Sequence, residues 1–190
     1  MSEDGSSLVL FRPLPAAARL SAEEKRRIRA FTRTLSERVA GRRPFTCLVT
    51  NDAELQTLNQ RFLGHDYPTD VLSFPSRNGT RELGDIAISA ERAEAQARVL
   101  GHDRVDEIRI LMLHGVLHLT GLDHERDRGE MAAAERKWRT EFGLPLTLIA
   151  RAARKRPGDG SAPPSRKKRI QSSGGASQPV PVVRAEQVRS

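Results

Sequence analysis

The sequence predicts one domain of the α/β or α+β class, in which helices pack on a small mixed sheet. Short runs rich in β-branched and aromatic residues alternate with segments of helical periodicity, and several of those segments begin at a capping residue. A change of composition near residue 150 separates this domain, residues 1–150, from a tail of residues 151–190.

Four short runs predict the strands. They cover Leu8–Phe11, Phe45–Thr50, Thr69–Phe74 and Leu83–Ile88. The last two are separated by the stretch SRNGTRE, in which Asn78-Gly79 is typical of a tight turn. We therefore expect these two strands to form a hairpin.

Five segments predict helices. They run from Ser21 to about Val39, from Asp52 through Leu55, Leu58 and Phe62, from Ser89 to about Leu100, from Arg104 to Leu119, and from Gly129 to Phe142. Ser21 with Glu24 three residues later forms a capping box, and Asp52 and Ser89 are good N-caps for the second and third helices. In the fourth helix, Ile108, Leu111 and Met112 are expected to face the core.

The net charge of +8 is concentrated in the tail. Residues 151–190 contain ten basic and two acidic side chains, which leaves 22 of each in the first 150 residues. Because the tail is rich in Pro, Gly and Ser and has no periodic apolar pattern, we expect it to be disordered. Its basic clusters suit a polyanion such as RNA, and the alternative is a solvated tail that only aids solubility.

The sequence predicts a soluble, cytoplasmic protein that is not exported. The single cysteine, Cys47, cannot form an internal disulfide. No apolar stretch approaches the roughly 20 residues that span a bilayer. The N-terminal MSEDGSS lacks the basic and then apolar pattern of a signal peptide.

Three of the five histidines fall within the run HGVLHLTGLDHE. His114 and His118 are four residues apart, so on a helix their rings project from one face. Gly121 can end that helix and return the chain, which brings His124 towards the first two. Three imidazoles with an open fourth position are typical of catalytic zinc, so we predict one Zn²⁺ per chain, although imidazole also suits nickel, copper and iron.

The spacing of the three histidines also occurs in metzincin proteases, in which the residue after the first histidine is a glutamate that acts as general base. Here that residue is Gly115. A peptidase would therefore need a carboxylate from elsewhere in the chain.

Three segments together resemble the YbeY family of endoribonucleases. HGVLHLTGLDHE resembles the family's H-G-x-L-H-L-x-G-[YF]-D-H motif, Leu58–Pro75 (LNQRFLGHDYPTDVLSFP) resembles its second block, and Leu83–Ser89 (LGDIAIS) resembles its G-D-I-x-I strand. Two positions depart from the pattern: Leu63 stands where the family has an arginine implicated in activity, and Leu122 replaces an aromatic residue.

The resemblance implies a four-stranded sheet with about five helices and the metal cleft on one side. It also implies a single-strand-specific, metal-dependent endoribonuclease that matures the 3′ end of 16S rRNA, takes part in ribosome quality control and works on the small ribosomal subunit. Two alternatives remain: a metal-dependent hydrolase of another substrate, and a non-catalytic, zinc-stabilised ribosome-assembly factor.

The candidate site residues fall into two groups. The predicted metal ligands are His114, His118 and His124, and the predicted catalytic residues are Arg61 and Asp123. Arg61 is a candidate phosphate contact in place of the missing arginine, and Asp123 a candidate partner of an imidazole. Thr69, Asp70 and Ser73 are further candidates from the second block, whereas His65 and His102 are expected not to bind metal.

Overall fold

The computed structural model describes residues 6–77, 80–123 and 127–146. Within these ranges the strands are β1 (Leu8–Phe11), β2 (Phe45–Thr50), β3 (Val71–Pro75) and β4 (Gly84–Ser89). The helices are α1 (Ala22–Arg38), α2 (Asp52–Leu63), α3 (Ala90–Leu100), α4 (Arg104–Leu119) and α5 (Glu130–Glu141). The predicted turn at Asn78-Gly79, the predicted ligand His124 and the tail of residues 151–190 lie outside the described residues.

The four strands form one mixed sheet in the order β1-β2-β4-β3. β1, β2 and β4 are mutually parallel, and β3 pairs antiparallel with β4 at the edge of the sheet. Parallel neighbours need a crossover connection, which α1 provides between β1 and β2. The expected four-stranded mixed sheet with five helices is confirmed.

Helices cover both faces of the sheet because alternate strand residues point in opposite directions. On one face Ile86 and Ile88 of β4 pack in the main core, to which α1, α3, α4 and α5 contribute. On the other face Leu55 and Leu58 of α2 pack with Leu72, among others. The sheet therefore separates α2 from α4.

The most buried helix is α4. The predicted core residues Ile108, Leu111 and Met112 are all buried, and Ile110 and Leu113 have no exposed surface. Among the helices and strands described, α4 contacts α1, α3, α5, β3 and β4. A helix enclosed in this way gives its polar side chains a fixed position.

Several predicted boundaries are wrong by one or two residues. β4 spans Gly84–Ser89 rather than Leu83–Ile88, and β3 ends at Pro75 rather than Phe74. The N-cap of α2 is Asn51 rather than Asp52, since the Asn51 side chain accepts a hydrogen bond of 2.9 Å from the Glu54 amide. β3 starts at Val71 rather than Thr69, because Asp70 Oδ1 accepts the Val71 amide at 2.9 Å and holds a turn there. The capping box predicted at Ser21 and the N-cap predicted at Ser89 are confirmed.

No helix in the described ranges is both long enough and apolar enough to cross a membrane.

Candidate metal centre

His114 and His118 lie side by side on α4. Their Nε2 atoms are 3.2 Å apart, and the two rings meet edge to face with centroids 4.8 Å apart. A tetrahedral zinc ion with Zn–N bonds of about 2.0–2.1 Å places two ligand nitrogens about 3.3 Å apart. The pair therefore has the separation of two ligands on one metal ion. The same distance also fits an N–H···N hydrogen bond between the imidazoles.

The other nitrogen of His114 faces a carboxylate of α5. His114 Nδ1 lies 3.2 Å from Glu135 Oε2. The second oxygen of Glu135 accepts a hydrogen bond from Arg139 Nη2, and Arg139 is only 2% exposed. A carboxylate at Nδ1 fixes the proton there and leaves the Nε2 lone pair towards His118, as is usual for histidines that bind metal.

Glu135 is held in its ionised form. Burial raises the pKa of this carboxyl group, but the hydrogen bond with His114 and the charge and hydrogen bond of Arg139 outweigh this effect, so that the pKa lies below its usual value. Glu135 is not among the site residues that the sequence predicted. Its only signal was the spacing of four residues to Arg139 on a helix, which is common on helix surfaces and does not indicate a site.

Gly115 lies where α4 packs closely against the sheet. A Cβ atom at this position would be 2.9 Å from Ile86 Cγ2 and 3.1 Å from Ser73 Oγ. The Ser73 hydroxyl donates to the Gly115 carbonyl oxygen at 3.3 Å. Because there is no room for a side chain, this fold cannot carry the glutamate that metzincins have at this position.

The chain reverses its direction just after His118. Gly121 has a φ of +98°, and its amide donates to the His118 carbonyl oxygen at 2.9 Å. The Asp123 carbonyl oxygen accepts the Asp127 amide at 2.9 Å, so the ends that flank residues 124–126 are held together. Among the described residues, which do not include His124, no three metal-binding side chains cluster in a way that could hold an ion.

The predicted catalytic residues are placed differently. Asp123, which is half-buried, immediately precedes residue 124 and follows the turn after α4. Arg61 is exposed on α2 with its guanidinium over the Phe62 ring, 5.4 Å from the ring centroid. α2 and α4 pack on opposite faces of the sheet, so Arg61 and the histidine pair belong to helices on opposite sides of it.

The lesser candidates have local partners. Besides the Val71 amide, Asp70 accepts a hydrogen bond from Gln96 Nε2 at 3.1 Å, and Thr69 Oγ1 donates to Asp70 Oδ1 at 3.3 Å. His65 stacks on Tyr67, and His102 Nε2 lies 2.6 Å from the buried carboxylate of Glu107. Burial raises the pKa of Glu107 above its usual value, although the hydrogen bond with His102 lowers it.

The family model and the relatives that match this chain carry the same description. The sequence model of a family described as Endoribonuclease YbeY matches residues 18–143. A protein of Solibacter usitatus named Endoribonuclease YbeY is 54% identical over 151 residues, which is 80% of this chain and 98% of that protein. One of the same name from Koribacter versatilis is 53% identical over 107 residues, 56% of this chain and 70% of that protein. The solution structure of TM1509 from Thermotoga maritima is 25% identical, with a TM-score of 0.49 over 83% of this chain and 100% of that one.

Proposed function

The chain belongs to the endoribonuclease YbeY family, and from this membership we propose that it cleaves single-stranded RNA with the help of a bound metal ion, predominantly zinc. Its substrate is a ribosomal RNA precursor, matured at the 3′ end of 16S rRNA. The protein acts on the small ribosomal subunit in the cytoplasm and takes part in ribosome quality control.

The observation that carries the proposal is the 3.2 Å approach of the His114 and His118 Nε2 atoms on a buried helix. These two imidazoles hold the metal ion, His124 is the proposed third ligand, and Glu135 orients His114. A bound zinc ion supplies Lewis acidity towards a phosphoryl oxygen and towards water. Asp123 is proposed to act beside the third ligand.

The test is cleavage of purified single-stranded RNA with and without a chelator, combined with metal analysis. We expect about one zinc per chain, loss of cleavage on chelation, and loss of metal in His114→Ala, His118→Ala and His124→Ala. His65→Ala is the matched control, since His65 is exposed and stacks on Tyr67. Equal metal content in the three variants, the control and the wild type would rule out the proposed ligands.

Arg61 is proposed to contact a phosphate in place of the family arginine. Arg61→Ala should then reduce cleavage about tenfold or more, which corresponds to a charge-assisted hydrogen bond of about 1.5–3 kcal/mol. Leu63→Arg restores the family residue at an exposed position, where Leu63 is 48% exposed. Unchanged cleavage in Arg61→Ala would show that Arg61 is a solvated surface residue that does not contact the substrate.

Leu63 also favours a second candidate function, a zinc-stabilised assembly factor that does not cleave RNA. The family arginine implicated in activity is absent at this position, and Arg61 lies on the opposite sheet face from the histidine pair. A metal-loaded protein that binds the small subunit but leaves RNA intact, also after Leu63→Arg, would support this candidate.

A further inference from the structure

Two loops at one end of the sheet carry four exposed arginines. Arg42 and Arg43 lie between α1 and β2, and Arg77 and Arg81 lie between β3 and β4. We call these four residues the arginine surface. The first 150 residues contain equal numbers of basic and acidic side chains, so this surface reflects an uneven distribution of charge within a neutral domain.

Hydrogen bonds fix the two loops against each other. The Leu83 amide donates to the Pro44 carbonyl oxygen at 2.7 Å, and Arg43 Nη2 donates to the Glu82 carbonyl oxygen at 3.0 Å. Thr80 Oγ1 donates to the carbonyl oxygens of Arg77 and Glu82, at 3.0 and 3.2 Å. These bonds hold the described backbone at Arg43, Arg77 and Glu82, which reduces the entropy lost when the arginines bind a partner.

The arginine surface lies at the end of the sheet where α4 ends. β2 and β4 begin there, and β3 finishes there, with Gly84 paired to Pro75. A Cβ atom on Gly84 would be 2.9 Å from Leu119 Cδ2, and Leu119 directly follows His118. The two loops therefore lie near the C-terminal end of α4, which carries His118.

The charges of this surface are available to a ligand. In the described ranges no carboxylate pairs with Arg42, Arg77 or Arg81. The nearby acidic residues are Glu82 and Asp85, and each is engaged in an interaction within the protein. Exposed guanidinium groups without a carboxylate partner favour phosphate ligands, which they bind in a bidentate manner.

We propose that the arginine surface binds the sugar–phosphate backbone of single-stranded RNA beside the histidine pair. This inference rests on the proposed function and adds a substrate-binding surface to the folded domain, separate from the basic tail. It predicts that these arginines affect RNA affinity and KM, whereas kcat on bound RNA is retained, because they touch the backbone away from the reacting atoms.

The test is the variant Arg42→Asn/Arg77→Gln/Arg81→Gln in the full chain. Asn is chosen at position 42 because Arg42 has a φ of +61°, which Asn tolerates. Arg43 is kept because it joins the loops. Binding of a non-cleavable 2′-O-methyl oligoribonucleotide is measured at several salt concentrations. The slope of log K against log salt should fall by up to about 2, from roughly 0.7 per phosphate contact on a single strand.

The matched control is Arg26→Gln/Arg33→Gln/Arg98→Gln, which removes the same charge from exposed positions of α1 and α3. Its slope should stay close to that of the wild type, and equal slopes in the two triple variants would overturn the proposal. If the first variant does not fold, Arg77→Gln/Arg81→Gln carries the same test. A smaller slope in the first variant than in the control, together with no RNA cleavage by the wild type, would support RNA binding by the arginine surface and contradict the proposed function.

Discussion

Glu135 decides which nitrogen of His114 is available to a metal ion. Its carboxylate lies 3.2 Å from Nδ1 and is itself bonded to the buried Arg139. A carboxylate in this position also makes the imidazole a more basic ligand. The metal affinity of the site should therefore depend on a residue that does not touch the metal.

We predict that Glu135→Gln weakens zinc binding about 10- to 100-fold, the usual effect of losing such a partner. Glutamine keeps the size of the side chain but removes the charge that holds the Nδ1 proton. Competition with a chromophoric chelator measures the affinity without reference to RNA cleavage. Glu141→Gln is the control, because Glu141 lies on the same helix and also pairs with an arginine, Arg38. Affinity equal to that of the control would show that Glu135 does not orient the ligand.

At this scale the sequence predicted local pairs and not distant partners. His114 and His118 are adjacent because helical periodicity alone places residues four apart on one face. Glu135 reaches His114 from 21 residues further along the chain, through the packing of α5 on α4. No spacing rule encodes that contact, so only the tertiary structure could identify it.

At the scale of elements, the close approach of α4 to the sheet depends on Gly115. We predict that Gly115→Ala lowers the free energy of unfolding, because overpacking costs about 1–3 kcal/mol and exceeds the helix-propensity gain of up to about 1 kcal/mol. The contact at fault is with Ile86, which is 1% exposed and cannot move away.

Thermal or denaturant unfolding of the variant checks this prediction. Ile86→Val removes the Cδ1 atom that would lie 3.0 Å from the new Cβ, so the double variant should lose less stability than the two single changes added together. A higher unfolding temperature for Gly115→Ala would contradict the crowded contact.

Glu24 links two helix N-termini and makes stability depend on pH. It completes the capping box of α1 and bonds to Arg104 of α4, and mainly this hydrogen bond lowers its pKa from 4.5 to about 2. Because the folded pKa is depressed, the stabilisation is fully present above the unfolded pKa near 4.5 and is lost as the pH falls towards 2.

The free energy of unfolding of Glu24→Gln should therefore be lower than that of the wild type by on the order of 1–2 kcal/mol near neutral pH, after allowance for solvent screening. This difference should disappear as the pH is lowered towards 2. Glu23→Gln is the control, since Glu23 pairs only with the exposed Arg26 among the described residues. A difference that is the same at pH 2 and pH 7 would show that the charge of Glu24 is not involved.

Element types were easier to predict than element ends. Phe45–Thr50 and Arg104–Leu119 occur as expected, since their apolar patterns and caps agree with the packing. Asn51 and Asp52 are both good caps, and propensity cannot choose between them. The choice depends on which side chain meets the Glu54 amide once the chain has left β2.

At the scale of the whole molecule, the net charge of residues 1–150 is zero, although basic side chains are grouped within this domain. The counts predicted that residues 1–150 are neutral and the tail carries +8. They could not predict the arginine surface, because the loops before β2 and β4 meet only in the folded chain, where the Leu83 amide donates to the Pro44 carbonyl oxygen. The chain therefore has two candidate regions for RNA backbone, one in the folded domain and one in the tail.

We predict that removing residues 151–190 leaves the fold and the metal content intact while it weakens RNA binding. Leu144, just after α5, is the last buried apolar residue among those described, so the truncation removes little packing. The slope of log K against log salt could change by up to about 7 if all ten basic residues of the tail met phosphates, at roughly 0.7 each, and a flexible tail should realise only part of this.

A full-length variant with those ten residues changed to glutamine is the control, because it removes the charge of the tail and keeps its length. If truncated, neutralised and wild-type proteins have identical slopes, the tail does not serve to attract RNA, and the salt dependence that remains comes from the folded domain, where the arginine surface is the proposed source.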